Sequence, residues 1–133
     1  MKRNTIIVNM KRKIKNILIG LKNIWKWRKV IYKDRNWDYW FVYEVLKTKL
    51  KFQAEYLHKH GMHESSSANA KQILECAELM CKVQNEYYID EALKGLADEG
   101  WTDDKFAEVA AKQDEAKKLL FKTLEDNIEH WWS

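Results

Sequence analysis

The sequence predicts an all-α fold: a small helical bundle of three to four helices with a basic amphipathic N-terminal helix, assembling as a homo-oligomer. Three observations carry this expectation. Pro is absent and Gly occurs only four times in 133 residues, so the punctuation that sandwiches, barrels and Gly-rich phosphate loops need is missing. Apolar residues recur at helical spacing through four segments. Hydrophobic residues make 46% of the chain and charged residues 33%, a balance that supports a packed core and excludes compositional disorder. The length suits one domain, expected over residues 10–133. Met10-Lys11-Arg12 repeats the opening Met1-Lys2-Arg3, and residues 1–9 are read as a mobile leader.

The first helix is expected from Met10 to about Lys33. Ile14, Ile17, Leu18, Leu21, Ile24, Trp25 and Ile31 recur near helical spacing, with Lys11, Lys15, Lys22, Lys26 and Lys29 between them. Such a helix either packs its apolar stripe on a bundle or lies at a membrane surface, which uses the same Trp/Lys composition. The second helix, over 36–60, has Asn36 as N-cap, Asp38 in its first turn, His58, Lys59 and His60 in its last, and Gly61 at its end. One face carries Tyr39, Val42, Tyr43, Leu46, Leu50 and Leu57. A second carries Phe41, Val45, Phe52 and Tyr56, and a polar stripe carries Glu44, Lys47, Thr48, Lys51 and Glu55. Two apolar faces need two neighbours.

After the polar loop 60–69, Ser65, Ser66 and Ser67 offer N-caps for one long helix to about Leu96, with Ile73, Ala77, Met80, Tyr87 and Leu96 inward. Gly95 or Gly100 ends it. Thr102 caps the next helix, with Asp103 and Asp104 in its first turn and Phe106, Val109, Ala110, Leu120, Leu124 and Ile128 leading to Trp131-Trp132. Seven Trp are more than one small core can bury, so some are expected at subunit interfaces or in a ligand site.

Charge divides the chain. Residues 1–35 hold 12 Lys/Arg against the single acid Asp34, a balance of +11, while residues 36–133 balance to −7. The basic block attracts phosphates, anionic lipid or an acidic protein surface, and equally suits the acidic remainder of its own oligomer. The acidic remainder opposes a long polyanion, so extended nucleic acid is not the expected partner, whereas a small nucleotide avoids that penalty. Cys76 and Cys81 stand five apart on a helix, unsuited to bridging each other, and read as buried thiols of a reducing cytoplasm. The longest charge-free run, Asn4 to Met10, is far below the ~20 residues that span a bilayer.

Few constellations point to reaction chemistry. His58-x-His60-x-x-His63-Glu64 matches no metal motif, since His58 and His60 diverge by about 200° on a helix; it reads as a cationic helix end, and no metal or cofactor is expected. No Ser/His/Asp order, nucleophile elbow or P-loop is present, and the acid pairs read as solvated faces, so the chain is not expected to be an enzyme. Trp25-x-Trp27-Arg28-Lys29 followed by Arg35-x-Trp37-x-Tyr39-Trp40 interleaves cations with rings, the composition that pairs phosphates and stacks bases. The same residues also fit an interface core fringed by lysine stems.

With Trp37-Asp38-Tyr39-Trp40, Leu46-x-x-Lys49-Leu50, Tyr56-x-x-x-His60-Gly61 and the terminal Trp131-Trp132, residues 25–133 resemble short helical proteins of tailed bacteriophages, grouped here with the anti-CBASS sponge proteins. The resemblance implies a homo-oligomer, a tetramer, that binds cyclic dinucleotides such as cyclic GMP-AMP without cleaving them, in the cytoplasm of the infected host. It would keep the host's antiviral effector inactive. The expected phosphate contacts are Arg28, Lys29, Arg35, Lys47 and Lys51, and the expected base contacts are Trp37, Tyr39 and Trp40 or the Trp131-Trp132 end. The competing expectation is a helical module that binds a host protein through its aromatic surface.

Overall fold

A computed structural model describes the backbone of residues 2–95 and 100–132, with side chains over 5–95 and 100–131. All regular structure among these residues is helical. Five α-helices are present, α1 (Lys2–Lys33), α2 (Trp40–His60), α3 (Ser66–Gln84), α4 (Tyr87–Gly95) and α5 (Asp103–Asn127), followed by a 3₁₀ turn at His130–Trp132. The chain divides into two compact units, residues 1–38 and 39–133.

The first unit is dominated by α1, about 48 Å long at the usual helical rise. It starts at Lys2 rather than Met10, because Ile6, Ile7 and Met10 continue the spacing of Ile14, Ile17 and Leu21 with no Pro, and no Gly before Gly20. Between Ile6 and Ile24, eight apolar side chains fall within a sector of roughly 120° that holds no charge, at about 100° per residue. Lys11 and Lys22 border one edge of the sector, and Lys13 borders the other. The eight side chains are each between 51% and 63% exposed.

In the second unit α2 packs chiefly on α3, and α5, α4 and the 3₁₀ turn complete the layer around α3. The core is Leu50 and Ala54 of α2, Ala70, Ile73, Cys76, Ala77, Met80 and Val83 of α3, Ala116 and Leu120 of α5, and Trp131. Ile73, Ala77, Met80 and Leu120 therefore face inward as expected. Tyr87, Phe106 and Ile128 are exposed instead. So are Val42 and Leu46, because the inner stripe of α2 is rotated onto Tyr43, Lys47, Leu50, Ala54 and Leu57.

Two further helix boundaries correct the expected ones. The second helix starts at Trp40 and not at Asn36: a turn precedes it, in which the Asp38 N–H donates to the Arg35 carbonyl (3.1 Å), and Tyr39 caps it without a side-chain hydrogen bond. Short polar side chains at 34, 36 and 38 favour such turns over helix. The expected long helix from Ser65 breaks after Gln84, so the helices among the described residues number five and not three or four. Asn85 Nδ2 turns back to donate to the Cys81 carbonyl (3.0 Å), and Glu86 adopts a left-handed backbone (φ 51°) that no α-helix continues through. Leu96, its expected end, lies outside the described residues. The start of this helix is as expected, with Ser65 at the N-cap position, although its hydroxyl makes no capping bond; Ser66 Oγ accepts from the His63 N–H (3.2 Å).

Other boundaries agree with the sequence. Thr102 Oγ1 accepts from the Lys105 N–H (3.3 Å) to cap α5, with Asp103 and Asp104 in the first turn. His58, Lys59 and His60 close α2, and the Gly61 N–H donates to the Leu57 carbonyl (2.8 Å). Gly61 has extended, not left-handed, backbone (φ −64°, ψ 126°). Glycine is required there by crowding: a Cβ would collide with Ser66 Cβ and the Leu57 carbonyl.

Candidate functional site

The end of α1 and the turn after it carry the cations and rings. Arg28 lies one helical turn beyond Trp25, so its guanidinium reaches back over the indole, 3.8 Å from the ring centroid, and Nη1 donates to the Trp25 carbonyl (2.5 Å). Arg28, Lys29, Tyr32 and Lys33 line a shallow concave surface of about 310 Å³. Arg35 Nη1 donates to the Asp34 carbonyl (2.9 Å), and Trp37, 84% exposed, offers both ring faces. Within this first unit Arg28, Lys29, Arg35 and Trp37 thus occupy one exposed stretch of ten residues. Its chemistry suits a ligand with phosphate oxygens and flat rings: fixed guanidinium forks, lysine ammonium groups and open aromatic faces.

The remaining expected residues belong to the second unit. Tyr39 is exposed and meets Tyr43 edge-on at 6.4 Å, and Lys51 is exposed. Trp40 is half-buried, edge-on to Phe41 at 5.1 Å, and its carbonyl accepts from Gln84 Nε2 (3.2 Å).

Lys47 and Trp131 are interior residues. Lys47 is 8% exposed, and its ammonium donates to Gln84 Oε1 (2.7 Å) and pairs with Glu44 Oε2 (2.6 Å), while Gln84 Nε2 donates to the same carboxylate (2.9 Å). All three groups are engaged within the fold, so Lys47 holds α2 against α3 and is not available to a phosphate. Burial raises the Glu44 carboxyl, but the Lys47 and Gln84 hydrogen bonds and the Lys47 and Lys51 charges outweigh it, and its pKa lies below the ordinary value of 4.5. Trp131 is 1% exposed; its Nε1 donates to Gln72 Oε1 (2.7 Å) and its carbonyl accepts from Asn69 Nδ2 (3.4 Å). Its ring fills the core and cannot stack on a base. The Trp132 side chain lies outside the described residues.

Gln84 escaped the sequence reading, although the signal was present: it stands four residues after Met80 on the stripe Ile73, Ala77, Met80, where a polar residue needs a buried partner. A second concave surface of about 250 Å³ lies between α3, α4 and α5, lined by Leu79, Tyr88, Lys112, Glu115, Ala116 and Leu119. Cys76 is buried and free, and burial pushes its thiol up to about 11; Cys81, expected buried, is half-buried and accepts from Asn85 Nδ2 at 3.3 Å. Among the described residues no three His, Cys, Asp or Glu side chains converge as metal ligands. No protein-family model, curated protein or solved structure matches this chain.

Proposed function

We propose that this chain is a non-enzymatic binding protein that sequesters cyclic dinucleotide second messengers, of the cyclic GMP-AMP type, and so keeps a bacterial host's antiviral effector inactive during phage infection. The observation that supports this reading is the exposed series Arg28, Lys29, Tyr32, Arg35 and Trp37, in which three cations are interspersed with two rings. Cations for two phosphates and rings for two bases are what such a ligand demands. Two stacks at ~1–3 kcal/mol each and two charge-assisted phosphate pairs at ~1.5–3 kcal/mol each give roughly micromolar affinity. A sponge must bind more tightly than that. Oligomerisation supplies the difference in this proposal: a second subunit of a tetramer covers the other side of the ligand with groups already in position.

The test is a thermal-shift screen of the full chain against cyclic and linear dinucleotides at physiological salt, followed by chromatography of heat-released ligand. A sponge gains about 4 kcal/mol of stability at a thousandfold ligand excess over Kd, and returns the ligand intact. Trp37→Ala and Arg35→Ala should each weaken binding about tenfold or more while leaving the unliganded melting temperature unchanged, as expected for exposed residues. Recovery of a cleaved nucleotide would make the protein an enzyme. No shift with any nucleotide would favour the helical module that binds a host protein.

A further inference from the structure

We infer that α1 is an in-plane membrane helix, whose apolar sector from Ile6 to Ile24 seats in the headgroup boundary of an anionic lipid surface. This inference is independent of the nucleotide reading, whose residues begin at Arg28. The observation behind it is the charge-free sector of eight apolar side chains, each more than half exposed, on a helix that carries eleven Lys/Arg and no acid. A soluble chain rarely leaves so long an apolar stripe open to water. The sector is bordered by lysines on both edges, Lys11 and Lys22 on one and Lys13 on the other. When the stripe is submerged, their stems run along the apolar boundary and their ammonium groups rise to the lipid phosphates. No described helix is long and apolar enough to cross a membrane, so the geometry is that of a helix lying on the surface.

Charge selects this occupant over a second copy of the chain. Another α1 would set eleven cations against eleven. The acidic unit of a second copy is the competing surface, but its charge is discontinuous: Glu55 pairs with Lys59 (2.6 Å), Glu91 with Lys94 (3.0 Å), Glu108 with Lys112 (2.8 Å) and Asp126 with Lys122 (2.9 Å), so lysines interrupt its exposed acids. An anionic leaflet presents negative charge continuously along the helix, and each basic residue near it adds attraction that falls with salt.

The experiment is co-sedimentation of the full chain with vesicles of phosphatidylcholine containing phosphatidylglycerol, and with phosphatidylcholine alone, at low and physiological salt. The chain should sediment with the anionic vesicles and only weakly with the neutral ones. The double variant Ile17→Asp/Leu21→Asp should partition roughly tenfold less or worse. The triple variant Lys11→Gln/Lys15→Gln/Lys22→Gln leaves the apolar sector intact and should lose the preference for anionic vesicles. Failure of the unaltered chain to bind either vesicle overturns the inference. So does equal binding by the Asp variant, or a lipid-free oligomer that this variant dissociates, since the sector then belongs to a second copy. All variants keep Arg28, Lys29, Arg35 and Trp37, so the nucleotide thermal shift is read separately and either proposal can fail alone.

Discussion

Lys47 is a cation at a core position, and its worth lies in what its removal leaves behind. With Lys47→Ala, the Glu44 carboxylate and Gln84 Oε1 lose their shared donor between α2 and α3. A half-satisfied buried network costs more than an apolar replacement of both partners. Lys47→Ala should therefore destabilise the protein by about 2–4 kcal/mol in urea unfolding, whereas Lys47→Met combined with Glu44→Leu should cost less than Lys47→Ala alone. The lowered Glu44 pKa makes the same network sensitive to acid. A carboxyl depressed on folding adds stability that is complete above its ordinary value of 4.5 and is lost as pH falls through the lower folded value. Glu44→Gln should flatten that acid limb in a series of melts against pH; an unchanged limb would assign the acid loss to other carboxylates.

The helix ends show how much of each element was legible. Thr102 with Asp103 and Asp104 is a local code, written within one turn, and the structure uses it as read. Gly61 was also legible as an end, though for a different reason: the crowding comes from Ser66 across the loop, not from a left-handed backbone. Gly61→Ala should consequently cost about 1–3 kcal/mol by overpacking, seen as a lower denaturation midpoint with an unchanged slope. The break between α3 and α4 was not legible. Periodicity runs on through Tyr87, yet Asn85 turns back on Cys81 and Glu86 takes a left-handed backbone just after Gln84 is tied to the Trp40 carbonyl of α2. Local signals fail where a distant partner decides.

At the scale of the whole molecule, the charge division read between residues 35 and 36 lies close to the division into units at residue 38, so composition carried organisation that helical spacing did not. The candidate site was legible in its first half for the same reason: Arg28, Lys29, Arg35 and Trp37 are neighbours in sequence. Lys47 and Trp131 were not, because the lysine stands among polar residues on a solvated-looking stripe and the tryptophan's place depends on Gln72, 59 residues away. Cys76 gives this second unit an internal clock. Enclosed in α3 and held as a neutral thiol by its pKa of about 11, it meets an alkylating reagent only when α2, α3 and α5 part, whereas the half-buried Cys81 meets it sooner. Labelling followed by mass spectrometry should therefore show one fast and one slow thiol. If the slow one waits for global unfolding, Gly61→Ala should speed it by the same factor that it lowers the equilibrium constant for folding; an unaltered slow rate would mean that the core breathes open locally around Cys76.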